Sequence, residues 1–104
     1  MSAAWTAVVD VARARGPVEE RRSRYADKPA LCLHAREIAH CEAPGVVDLR
    51  ITASGWRALP DALRADPRVV RDPKRRDWIE LRLASECDAN ELEPLIAAAL
   101  TANS

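Results

Sequence analysis

The chain has 104 residues, 48% of them apolar and 31% charged, and its sixteen basic residues are balanced by sixteen acidic ones. That composition fits one globular domain over residues 1–104, not a disordered chain. Zero net charge speaks against a dedicated non-specific nucleic-acid binder, and no apolar run is long enough to span a membrane. The start of the chain lacks a signal-peptide pattern, so a cytoplasmic protein is expected. Cys32, Cys41 and Cys87 are odd in number and lack close zinc-type spacing, so free thiols are expected.

Ser2 can cap a first helix, on which Trp5, Val8, Val9 and Ala12 make an apolar stripe. Gly16-Pro17 ends it. Val18–Tyr25 reads equally as a polar edge strand or a loop. Pro29–Cys41 reads as two strands. With Ala35-Arg36 as a two-residue loop, His34 lies opposite Glu37, Leu33 opposite Ile38 and Leu31 opposite His40. Leu31, Leu33, Ile38 and His40 then share the core face, and Cys32, His34, Glu37 and Cys41 the outer one. A slip of one residue would move His40 to the outer face.

Pro44-Gly45 turns the chain into a third strand, Val46–Thr52, with Val47, Leu49 and Ile51 inward and Asp48 and Arg50 outward. Thr52 or Ser54 can cap a second helix carrying Trp56, Leu59 and Leu63, which Pro60 kinks or divides. Arg68–Arg71 and Asp77–Leu83 read as another hairpin around the basic loop Asp72–Arg76. Ile79, Leu81 and Leu83 face the core, and Trp78, Glu80 and Arg82 face away. Asp88 and Glu91 suit a capping box for a last helix with Leu92, Leu95, Ile96, Ala99 and Leu100 inward. Pro94 makes its first turn irregular or delays its start. The sum is a single α+β domain, a mostly antiparallel sheet of about five strands with three helices on one face.

Four groups of residues are candidates for function. His40, with Glu37 or Asp48, could centre a small enzyme, because histidine titrates near neutral pH; the plainer expectation is a half-buried histidine held by a hydrogen bond. Cys32, His34, Glu37 and Cys41 carry metal-ligand and nucleophile chemistry, but a flat strand splays them, so no metal and no cofactor is assigned. Arg50, Trp78, Glu80 and Arg82, with Asp48, form an outer face of alternating charge around an indole. It reads as cross-strand ion pairing or as a binding surface for a protein partner or a second copy of the chain. Arg71, Lys74, Arg75 and Arg76 make a basic hairpin tip that could touch phosphates, although Asp72 and Asp77 dilute its field.

The segments Gly16–Tyr25 (GPVEERRSRY), Arg36–His40 (REIAH), Gly45–Arg50 (GVVDLR), Ala65–Val69 (ADPRV) and Asp77–Leu83 (DWIELRL) resemble, in this order, the luciferase-domain family of small proteins. The resemblance covers most of the chain and implies no light emission. It departs where the family often has His-x-His and this chain has His40-Cys41-Glu42. The order of elements is also similar, at the level of fold, to the double-wing family of small proteins taken to bind DNA.

The function expected is therefore a small interaction or ligand-binding module acting through the charged outer sheet face, as a homodimer or with a protein partner. A nucleic-acid contact module built on residues 71–76 and a small enzyme centred on His40 are the alternatives.

Overall fold

The computed structural model describes residues 3–24 and 27–104. The elements run α1 (Ala3–Arg13), β1 (Glu19–Arg22), β2 (Pro29–Leu33), β3 (Arg36–Ala43), β4 (Val46–Arg50), α2 (Ala53–Ala58) and α3 (Asp61–Arg64). They continue with β5 (Val69–Val70), β6 (Trp78–Arg82), α4 (Glu86–Glu91) and α5 (Glu93–Ala102). Six strands form one antiparallel sheet in the order β1-β2-β3-β4-β6-β5. The α+β class is as expected, while the described residues hold six strands and five helices where about five and three were expected. The sixth strand is β1, which makes half of the ambiguous polar segment, Glu19–Arg22, a charged edge strand. The extra helices arise at prolines. Pro60 separates α2 from α3, and Pro94, which has no N–H to give to a preceding turn, sits in the first turn of α5 after a break at Leu92. The expected Ser2 cap and the Tyr25 end of the polar segment lie outside the described residues.

One sheet face is oily. Leu31, Ala39, Leu49 and Ile79 stand in register across β2, β3, β4 and β6, and Cys41, Val47, Leu81 and Val69 across β3, β4, β6 and β5. These side chains join Trp5, Val8, Val9 and Ala12 of α1 and Leu95, Ile96, Ala99 and Leu100 of α5 in one core. The α1 stripe is the one its i, i+3, i+4, i+7 spacing predicts. Thr52 caps α2, its hydroxyl accepting from the Gly55 N–H at 3.0 Å. Asp88 and Glu91 do not form a capping box. Both lie within α4, where with Asp66 they hold the Arg68 guanidinium and so fasten β5 to α4. No described helix is long and apolar enough to cross a membrane.

The β2–β3 hairpin differs from the expected register, and the difference decides the site. The two-residue turn is His34-Ala35, not Ala35-Arg36, with left-handed backbone at both residues, φ 52° and 66°. That turn suits the right-handed twist of paired strands, and Leu33 pairs with Arg36 across it. Pairing then shifts between Leu31 and Cys32, so that Ile38 is an extra residue on β3. Ile38 and Ala39 are both buried in the core. The bulge reverses the alternation beyond it: His40 faces outward, across from Asp48, and Cys41 faces the core. This corrects the expected placement of His40 opposite Leu31 on the core face and of Cys41 on the outer face.

The β3–β4 turn depends on Gly45. Its φ is 76°, and an added Cβ would stand 2.5 Å from the Leu83 carbonyl oxygen. Gly45→Ala combines left-handed strain with a backbone clash, so a loss of about 1–3 kcal/mol is expected in urea unfolding. A change within a few tenths of a kcal/mol would show that the turn relaxes freely.

Candidate functional site

The bulge at Ile38 puts Glu37 and His40, three residues apart, on the same outer face. Their contact is direct: Glu37 Oε2 lies 3.1 Å from His40 Nδ1. On the other side of the ring, Nε2 lies 3.1 Å from Glu42 Oε2 and 2.9 Å from Asp48 Oδ2. Glu42 reaches it from a second register shift, between Cys41 and Ala43 of β3, and Asp48 because it is the cross-strand partner on β4. Three carboxylates thus surround one imidazole.

The outer face is not simply solvated at this point. His40 is 6% exposed and Asp48 3% exposed. Trp78 of β6 packs against the imidazole, ring centres 5.4 Å apart. Arg75, from the β5–β6 loop, places its guanidinium carbon 5.7 Å from the centre of the Trp78 ring and donates from Nη2 to Asp48 Oδ2 at 3.2 Å. Glu37 is held from the far side, where the Ser23 hydroxyl donates to Oε2 at 2.9 Å and the Arg24 N–H to Oε1 at 3.0 Å. Lys28 donates to Glu42 Oε1 at 3.1 Å.

The charges follow from this geometry. The Asp48 hydrogen bond, reinforced by the Asp48, Glu37 and Glu42 charges, lifts His40 above its ordinary 6.5, against the opposing effect of burial. Burial alone would push the Asp48 carboxyl up, but the His40 bond and the Arg75 guanidinium outweigh it and hold Asp48 below its ordinary 3.8. His40 is therefore favoured as an imidazolium, with both nitrogens facing carboxylates.

A cleft of about 390 Å³ opens beside the cluster, lined by Arg24, His34, Ala35, Arg36, Glu37, Arg50 and Trp78. Arg50 binds Asn103 and lies 3.6 Å from Asp77. Among the described residues neither the Arg24 nor the Arg36 guanidinium has an ion-pair partner. The one carboxylate in the lining, Glu37, faces His40.

The residues singled out from the sequence thus separate. His40, Glu37 and Asp48 come together. Arg50 and Trp78 line the cleft, while Glu80 and Arg82 bond each other at 2.8 Å along β6 outside it. In the basic tip, Arg71 stacks on Trp56 at 5.2 Å and donates to the Arg76 carbonyl, and Arg75 is held by Asp48 and Trp78. Lys74 and Arg76 alone of the four keep exposed side chains with no acidic partner among the described residues. The expected outer group of Cys32, His34, Glu37 and Cys41 is not formed. Cys32 pairs with Glu37, His34 is in the turn, and Cys41 lies on the core side. Burial and the Glu37 charge push the Cys32 thiol up, against a role as nucleophile.

Sequence reasoning missed Glu42, Arg24, Arg36 and the covering role of Arg75. A signal for the first was present in β3. After Arg36 its charged and histidine positions are Glu37, His40 and Glu42, so the polar phase changes across the adjacent apolar pair Ile38-Ala39, the mark of a bulge. Comparison with known proteins finds no matching family model, no matching curated protein and no matching solved structure.

Proposed function

We propose that the chain is a small ligand-binding module whose outer sheet face takes a compact anionic ligand in the cleft between the His34-Ala35 turn and Trp78. The observation that carries this reading is the convergence of Arg24, Arg36 and Arg50 on one cleft, two of them without a carboxylate partner. A guanidinium fork matches the two oxygens of a carboxylate or phosphate, and an indole wall adds a surface for a planar group. The volume suits a small metabolite. The resemblance to the luciferase-domain family stands beside this as a proposed kinship and names no ligand.

The test is calorimetric titration with inorganic phosphate, benzoate and a nucleoside monophosphate. At least one is expected to bind, and Arg24→Ala combined with Arg36→Ala is expected to weaken it at least about tenfold, the loss of a charge-assisted contact. Both side chains are exposed, so the double variant keeps the fold. Binding by none of the three, or equal binding by the double variant, ends this reading. Sedimentation of the same samples separates ligand binding from self-association, which Trp78→Ala would weaken.

A further inference from the structure

We propose that His40, Glu42 and Asp48 form a binding site for one divalent transition-metal ion, zinc fitting best, with Glu37 as the carboxylate behind the imidazole. The site goes beyond the anion cleft: none of its three ligands lines the cleft, and Glu37 borders both.

The donor atoms are already gathered. His40 Nε2 lies 3.1 Å from Glu42 Oε2 and 2.9 Å from Asp48 Oδ2, and all three lie within 4.8 Å of one another. Tetrahedral zinc, with bonds of about 2.1 Å, sets its donors about 3.4 Å apart. Small side-chain shifts therefore convert this triangle into a coordination shell. The set is one nitrogen and two oxygens, a mixture zinc accepts, and three protein ligands leave its fourth position open.

The hydrogen bonding as it stands is incomplete in the way a cation would complete. Nε2 can carry one proton, yet two carboxylate oxygens face it. Asp48 is 3% exposed, and its Oδ1 has no hydrogen-bond partner among the described residues. A buried carboxylate short of partners is costly, and a cation bound at Oδ2 would offset the charge of the whole group.

The support behind the ligands is also in place. A metal-bound histidine usually donates its other ring N–H to a carboxylate, which fixes the tautomer and orients the ring. Glu37 Oε2 stands 3.1 Å from Nδ1, itself fixed by the Ser23 hydroxyl and the Arg24 N–H. With Nδ1–H donating to Glu37 and the Nε2 proton displaced by the ion, the Nε2 lone pair points toward the two oxygens. Two cations compete for the site. Lys28 holds Oε1 of Glu42 and leaves Oε2 free for the ion. Arg75 bonds Asp48 Oδ2, but its side chain is 46% exposed and can swing to solvent. Cys41 is not a ligand, since its thiol lies on the core side and donates to the Ala43 carbonyl.

The experiment is native mass spectrometry and calorimetry of the chelator-stripped chain with zinc alone. One zinc per chain at micromolar concentration is expected. Glu42→Gln, at an exposed side chain that the fold can spare, is expected to weaken binding at least tenfold. Glu37→Gln is expected to weaken it about 10–100-fold, as for partners behind a metal ligand. Arg75→Ala, by removing a competitor, is expected to strengthen it, and Cys87→Ser to leave it unchanged. No zinc at micromolar concentration, unaltered binding by Glu42→Gln, or loss of binding in Cys87→Ser would overturn the site.

Discussion

Asp48→Ala is expected to destabilise the metal-free protein by about 3 kcal/mol, the low end of the cost of breaking a buried charge pair. The side chain is almost fully buried, and its removal leaves His40 and Arg75 facing each other without the carboxylate between them. The partial exposure of Arg75 and Glu42 lets water relieve some of that cost, which places the effect at the low end rather than the high one. Urea unfolding followed by far-ultraviolet circular dichroism in the presence of a chelator measures it. The double variant His40→Ala, Asp48→Ala should lose less than the sum of the two single variants, because the stranded partner is gone as well. A single-variant loss below about 1 kcal/mol would show that the cluster behaves as a surface ion pair.

The same cluster sets a pH dependence. His40 is raised in the folded state, so its contribution is fully present below its ordinary 6.5 and is lost as pH rises through the folded value. Asp48 is lowered, so its contribution is present above its ordinary 3.8 and is lost as pH falls through the folded value. The cluster therefore stabilises most at mildly acidic pH. The groups facing His40 are Glu37, Glu42 and Asp48, with Arg75 on Asp48. The stability difference between the wild type and His40→Ala should shrink from pH 6 toward alkaline pH. A constant difference would mean that His40 acts through packing alone.

How much of this was legible in the sequence depended on the kind of information each residue carried. Trp5, Val8, Val9 and Ala12 declared their helix face because one burial surface imposes one period. Val47 and Leu49 did the same for β4, and Ile51 for the residue just past its end. The facing of His40 did not follow, because it depended on counting residues through a turn and a bulge. His34 and Ala35 adopt left-handed backbone that neither residue type advertises, and the extra residue at Ile38 has no place in a strict two-residue alternation. Only the neighbouring buried pair Ile38-Ala39 signalled the phase change. The cleft was illegible for a different reason. Arg24, Arg36 and Arg50 come from the segment after β1, the start of β3 and the end of β4, and only the sheet order brings them together.

Trp5→Ala is expected to cost about 3–5 kcal/mol, as for other truncations of large buried aromatic side chains. Against a total stability of about 5–15 kcal/mol for a domain of this kind, that is a large share. Trp5 is fully buried in the layer between α1 and the sheet, and no small shift of α1 can close the space it leaves. Its indole N–H also donates to Glu20 Oε2 at 2.9 Å. Glu20 pairs with Leu31 on the core side of the edge strand β1, so the bond latches that strand to the helix layer. Trp5→Phe separates the two contributions. It keeps most of the volume but removes the bond to the half-buried Glu20 carboxylate, and it should cost about 1.5–3 kcal/mol, the range for a hydrogen bond to a charged group. Because β1 leads directly into Ser23 and Arg24, which hold Glu37 behind His40, loosening the latch should reach the site. Amide hydrogen exchange in Trp5→Phe should accelerate in residues 19–24 before the rest of the sheet. Uniform acceleration across all strands would mean that the indole N–H contributes global stability only and that the edge strand is held by its pairing with β2.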